Sequence, residues 1–191
     1  MYNRKDLLGL RDLSADEIMT ILNTAKEMKA KIDNPSLRDD SLSKSSIVTL
    51  FYENSTRTKM SFMLAGDYQG AIVKDLGVAT SSVSKGESLV DTGVTLDQMG
   101  INIMIIRHQM TGAAHLLAKN VKASVVNAGD GSNEHPTQAL LDLFTIMEKK
   151  GSFEGLKVVI LGDISHSRVA RSNAFGLTKL GAKVTLAGYQ H

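Results

Sequence analysis

Ser55-Thr56-Arg57-Thr58 places three hydroxyls and a guanidinium on four consecutive residues. The run follows an apolar stretch, Ser46-Ile47-Val48-Thr49-Leu50-Phe51-Tyr52, that reads as a buried strand. It precedes a helix-like pattern at Phe62, Leu64 and Ala65. A helix start has free backbone N–H groups, and hydroxyl donors with a guanidinium beside them make a site for a phosphate or similar anion. A single hydroxyl there would be an ordinary N-cap. Four donors exceed what a cap uses, so the spacing favours anion binding over capping alone.

Other residues could join such a site. Arg107 ends the most strand-like run of the chain, Ile101 to Ile106. An arginine there either pairs with a carboxylate or faces an anionic ligand. His135 precedes Pro136 at a helix entrance, with Gln138 three residues on. A histidine in that place either caps the helix or, biased toward its neutral form, donates a hydrogen bond to a carbonyl oxygen. Gln138 is then either a solvated helix residue or a neighbour of the same ligand. Arg168 opens a later helix, and with Arg171 one turn on it also reads as part of an outward stripe. Ser81-Ser82-Val83-Ser84-Lys85-Gly86-Glu87 is a polar loop whose lysine, taken alone, reads as a solvated surface charge. Gly162 lacks a glycine two residues on, the Walker pattern is missing, and the five histidines have no helix-borne metal spacing. Neither a nucleotide cofactor nor a metal is expected.

The elements that must hold these residues alternate along the chain. Ser14 and Glu17 form a capping box ahead of a helix whose apolar face is Ile18, Ile21, Leu22, Ala25, Met28 and Ile32, ended by Asn34-Pro35-Ser36. Helices are predicted over Thr56–Tyr68, Glu87–Met99, Ala113–Lys119 and Pro136–Lys149, with strands at Ala71–Leu76, Ile101–Ile106 and Ala123–Asn127. Pro136 suits a first helical turn, where no N–H is needed. Strands separated by single helices predict an α/β fold, a parallel sheet flanked by helices. In such sheets ligands sit at the carboxyl ends of the strands. Ser55 to Thr58, Arg107-His108 and Asn127 to His135 all follow strand ends. After Gly151 the pattern restarts with a strand at Leu156–Leu161, a helix at Val169–Leu180 and a strand at Ala182–Leu186. Residues 1–150 thus read as one complete domain, and 151–191 as the opening of a second.

Composition bounds the rest. The 191 residues carry 22% charged and 42% hydrophobic side chains with a net charge of +2, an ordinary globular balance with no broad nucleic-acid surface. The absence of cysteine excludes disulfides and thiolate metal sites, with the cytosol as the default compartment. No apolar run reaches bilayer length, and Met1 to Asp6 is not backed by a signal-peptide core, so no membrane partner is expected.

Together these segments resemble the carbamoyltransferases. Phe51-x-x-x-Ser55-Thr56-Arg57-Thr58 is similar to the family's carbamoyl-phosphate signature, and His135-Pro136-Thr137-Gln138 to its second signature. Asn127-Ala128-Gly129-Asp130-Gly131-Ser132-Asn133-Glu134 before it, and Gly162-Asp163-Ile164-Ser165-His166-Ser167-Arg168 later, resemble the aspartate branch. The ornithine branch typically has Cys where Thr137 stands. The resemblance implies transfer of a carbamoyl group from carbamoyl phosphate to the amino group of L-aspartate, an early step of pyrimidine synthesis. A non-catalytic oligomeric binding chain, or transfer to another amine such as ornithine, are the alternatives.

By the same resemblance, Ser55, Thr56, Arg57 and Thr58 would hold the phosphate, and Arg107 would reach it or the carbonyl. Thr58, Arg107 and His135 would be catalytic, hydrogen-bonding the carbonyl oxygen, and Gln138 would contact the carbamoyl amino group. Arg168 would bind an aspartate carboxylate. Lys85 and a loop serine, Ser81 by position with Ser82 close to it, would enter the site of a neighbouring subunit. The implied assembly is a cytoplasmic homotrimer with shared sites, with regulatory chains as further partners left open. Family chains run well beyond His191 and supply further aspartate-binding residues.

Overall fold

A computed structural model describes residues 2–77 and 86–188. Ser81 and Lys85 lie outside the described residues. The first helix, α1 (Ala15–Asp33), starts at the predicted capping box. Glu17 N–H donates to Ser14 Oγ at 3.2 Å, and Ser14 N–H donates to the Glu17 carboxylate at 2.7 Å. Ile18 and Leu22 are buried, but Ile32 is 56% exposed because the last turn runs past the core.

The rest is a strand–helix alternation. It runs β1 (Ser46–Phe51), α2 (Thr56–Asp67), β2 (Ile72–Leu76), α3 (Leu89–Gln98), β3 (Ile103–His108), α4 (Ala113–Asn120), β4 (Ser124–Asp130) and α5 (Pro136–Lys150). β5 (Lys157–Leu161), α6 (Arg168–Lys179) and β6 (Lys183–Ala187) follow. The first four strands form one sheet in the order β2-β1-β3-β4, and β5 pairs with β6, every pairing parallel. The expected parallel sheet flanked by helices is therefore present. Val48 and Leu50 of β1 pack with Met104, Ile106, Val125 and Leu117 on one face. Ile47 and Phe51 pack with Ile105, Ala128 and Phe62 of α2 on the other. Burial on both faces explains why these strands read as unbroken apolar runs.

Several boundaries differ from the sequence reading, each for a local reason. Ser88 caps α3 by accepting from Asp91 N–H, so that helix starts at Leu89 rather than Glu87. β3 takes in Arg107 and His108, because Tyr52 N–H donates to the Arg107 carbonyl at 2.9 Å and extends the pairing with β1. β4 continues beyond the predicted end at Asn127 to Asp130 through an irregular register opposite His108, where the residues after Asn127 read as part of a polar cluster.

Strand order decides where a ligand fits. The chain leaves β1 toward β2 on one side and crosses back to β3 on the other, so the switch point lies between β1 and β3. A parallel sheet opens a crevice at the carboxyl ends there. The β1–α2 turn and Arg107 stand on either side of it.

The N-terminal segment ties this sheet to the second one. Leu7 bridges Val126 on the outer edge of β4, and Val125 N–H donates to Asp6 Oδ1 at 2.8 Å. Leu10 and Leu13 enter a separate core with Ile18, Leu22, Leu143 and Leu177, shared by α1, α5 and α6. Gly176 lets α6 approach closely, since a Cβ there would lie 2.7 Å from Leu143 Cδ1.

Candidate active site

The β1–α2 turn is built from donors without internal use. Ser55 stands at the N-cap of α2 in extended conformation, and its side chain makes no capping hydrogen bond. By contrast Ser14, Ser88 and Ser167 each accept from the backbone N–H of the third residue of their helices. The first turn of α2 contains no acidic residue, so nothing offsets its N-terminal positive end. Arg57 is exposed, and its guanidinium has no hydrogen-bond or ion-pair partner among the described residues. The capping alternative for Ser55 is thus not what the geometry uses.

The turn faces a cleft of about 970 Å³ lined by Ser55, Thr56, Arg57, Thr58, Arg107, His135, Gln138 and Arg168. Eight sequence candidates therefore meet in one place. The charged side chains on its wall are the guanidiniums of Arg57, Arg107 and Arg168, which suits a multiply charged anion. Among the described residues no group of three or more His, Asp and Glu could hold a metal ion.

Two of the three arginines are held by one carboxylate that the sequence reading had given no role. Glu53, at the end of β1, accepts from Arg107 Nε at 3.0 Å. It also takes a two-pronged contact from Arg168, Nη1 to Oε1 at 3.1 Å and Nη2 to Oε2 at 2.8 Å. Arg168 Nη1 donates to the Gly131 carbonyl as well, at 3.1 Å. The hydrogen bond from Arg168, more than either Coulomb attraction, holds the Glu53 carboxyl below its ordinary value against the opposing pull of burial. For Arg107, then, the carboxylate alternative is realised even as the residue lines the cleft. Arg168 is only 15% exposed and is not part of an outward stripe. Gly129, at φ +119°, makes room for it, because a Cβ there would stand 3.0 Å from the guanidinium carbon.

His135 sits at the start of α5, 6% exposed, and its side chain does not cap that helix. Burial, then the nearby cations of Arg107 and Arg168, push its pKa down to about 4. The imidazole is therefore neutral near pH 7 and has one N–H to donate. Its position is fixed through the backbone: His135 N–H donates to Ser172 Oγ at 2.9 Å, and Ser172 Oγ donates to Glu134 Oε2 at 3.0 Å. Glu134 in turn accepts from Leu10 N–H at 2.7 Å. The preceding loop is held by buried Asp130, which accepts from Gly112 N–H at 2.9 Å, Asn127 Nδ2 at 2.8 Å and Glu134 N–H at 3.1 Å. Gln138 Nε2 donates to Asp142 Oδ1 at 3.0 Å, so Gln138 is anchored rather than freely solvated. Glu53, Asp142 and Ser172 belong to none of the sequence motifs that point to the site. Only Glu53 left a signal, a carboxylate inside the arginine-bearing turn.

Comparison with known proteins agrees with this geometry. Residues 5–148 match the family described as aspartate/ornithine carbamoyltransferase, carbamoyl-P binding domain. The chain belongs to that family. It is 64% identical over 184 residues to the aspartate carbamoyltransferase catalytic subunit of Ruminiclostridium cellulolyticum, covering 96% of this chain and 59% of that protein. It is 59% identical over 187 residues to the Desulforamulus reducens subunit, covering 98% and 60%. Among solved structures, aspartate transcarbamoylase from Trypanosoma cruzi in complex with carbamoyl phosphate and aspartate superposes with a TM-score of 0.89 at 31% identity, over 97% of this chain and 57% of that one. The M. jannaschii catalytic subunit gives 0.85 at 37% identity, over 97% and 60%. The chain thus spans about 60% of the length of the curated relatives it matches.

Proposed function

We propose that this chain is the carbamoyl-phosphate-binding part, with the opening of the aspartate-binding part, of an aspartate carbamoyltransferase catalytic subunit. Residues 1–150 form the first domain in this reading and 151–191 begin the second. One observation carries it: the unused donors of Ser55 to Thr58 share a cleft with Arg107, a neutral His135, Gln138 and Arg168.

In the reaction, the α-amino group of L-aspartate attacks the carbonyl carbon of carbamoyl phosphate. A tetrahedral intermediate forms, the bond to the phosphate oxygen breaks, and N-carbamoyl-L-aspartate and phosphate result. Ser55, Thr56, Arg57, Thr58 and the N–H groups of the first α2 turn hold the phosphate. Thr58, Arg107 and the His135 imidazole N–H donate to the carbonyl oxygen as it gains negative charge, an oxyanion site. A neutral imidazole suits this task because its proton stays in place while it donates. Gln138 meets the carbamoyl amino group, and Arg168 leaves Glu53 for an aspartate carboxylate. Positioning and charge stabilisation suffice, with no covalent enzyme intermediate. Lys85 and Ser81 complete the site of an adjacent subunit in a cytoplasmic homotrimer. Transfer to aspartate is preferred over ornithine because the named relatives are aspartate enzymes and Thr137 is not cysteine.

The test is formation of carbamoyl-aspartate by the full-length catalytic chain, beside its Arg57→Ala variant. Losing one charge-assisted contact to the phosphate should cost on the order of 1.5–3 kcal/mol, read as weaker carbamoyl-phosphate binding. Unchanged activity in that variant would sink the assignment.

A further inference from the structure

We propose that Asp142 is a positioning residue: it turns the Gln138 carboxamide so that its oxygen faces the cleft, and thereby makes the pocket select a carbamoyl group over an acyl group of the same shape. The proposal rests on reading the cleft as a carbamoyl-phosphate pocket.

A carboxylate can only accept hydrogen bonds, so the Gln138 atom 3.0 Å from Asp142 Oδ1 must be the amide nitrogen, Nε2. Residues 138 and 142 lie one turn apart on α5, where side chains four positions apart meet on the helix surface. The other Asp142 oxygen, Oδ2, accepts from Asn173 Nδ2 of α6 at 2.7 Å. Asn173 is oriented by the same carboxylate, since its Oδ1 is buried and has no hydrogen-bond partner. Both oxygens of Asp142 are thus used, one toward each lobe, and the carboxylate is held from α6 while it holds Gln138.

Gln138 lines the cleft, and with Nε2 held by Asp142 the end of its carboxamide left without a donor among the described residues is Oε1. An acceptor in that place pairs with the amino group of a carbamoyl ligand. A methyl group of equal size leaves it unpaired, and a site built to accept a hydrogen bond discriminates against the ligand lacking it. If the amide were free to rotate, its nitrogen could face the ligand half the time and the preference would fade.

The experiment is an equilibrium titration of the full-length catalytic chain with inorganic phosphate, acetyl phosphate and carbamoyl phosphate. The unaltered chain should bind carbamoyl phosphate on the order of tenfold more tightly than acetyl phosphate. In Asp142→Ala that ratio should fall to about twofold while phosphate affinity holds. Asp142→Asn, whose carbonyl can still accept from Gln138 Nε2, should keep most of the ratio. A ratio unmoved by Asp142→Ala overturns the proposal. So does an equal loss for all three ligands with a lowered melting temperature, which marks a purely structural carboxylate. A different failure, phosphate binding by the unaltered chain with no preference for carbamoyl phosphate, overturns the pocket reading and the proposal with it.

Discussion

The β1–α2 turn and the β4–α5 turn border the same cleft and are built on opposite plans. At the first, the Ser55 hydroxyl caps nothing and the Arg57 guanidinium has no described partner. At the second, Asn127, Asp130 and Glu134 are buried, and their polar groups are taken up by one another and by backbone N–H groups. A loop whose buried polar side chains are in use keeps its own shape and can hold a reactive group such as His135 in place. A loop whose donors are open is completed only by a ligand. The cleft needs both, a rigid wall for the carbonyl and an unfinished wall for the phosphate.

The largest break in this contrast comes from the saturated side. Asp130→Ala would leave four donors without that acceptor, two of them in buried contacts, and should cost about 3–5 kcal/mol, measured by urea denaturation. A cost under about 1 kcal/mol would show that the loop holds its shape without it.

The next effect is a pH dependence. His135 has a folded pKa of about 4 against an ordinary 6.5, so between these values the unfolded chain binds a proton that the folded chain refuses. Stability contributed by the neutral form is then full above pH 6.5 and lost progressively as pH falls toward 4. The loss from this residue should be on the order of 3 kcal/mol. Denaturation midpoints of the chain and of His135→Gln, compared across that range, should converge toward acid pH. Parallel curves would contradict the buried neutral imidazole.

The smallest effect sharpens the unfinished side. Ser167→Ala removes a working cap, Ala170 N–H to Ser167 Oγ at 3.1 Å, and should cost about 1 kcal/mol. Ser55→Ala removes a hydroxyl that caps nothing and should change stability by less than about 0.5 kcal/mol while weakening phosphate binding. Equal thermal shifts in the two variants would mean that Ser55 is a cap after all.

What the sequence made legible follows from which interactions are local. The capping box at Ser14 and Glu17, Pro136 in a first turn, and β1 as a strand buried on both faces are written in neighbouring residues, and each took the expected form. The polar clusters after β1, β3 and β4 were visible as a set, because strands alternating with helices put their ends on one edge. The partner of Arg168 was not visible, since Glu53 lies 115 residues away. Nor was the use of Asp142, which depends on Asn173 of α6 lying against α5. The true ends of β3 and β4 were hidden for a related reason: Arg107, His108 and Asp130 look like loop residues until their pairing partners are known.

The N-terminal segment along β4 bears on the order in which this molecule assembles. Its contacts span long stretches of chain: Asp6 to Val125 is 119 residues and Leu10 to Glu134 is 124. Closing loops of that length costs more chain entropy than closing shorter ones, so these pairings are expected to form after the shorter-range ones. The neighbouring pairings of β1, β2 and β3 close much shorter loops. Residues 6 to 10 are thus expected among the last to find their places. When they do, they seal the sheet edge at Val126 and meet Glu134, the residue before His135, in the same step.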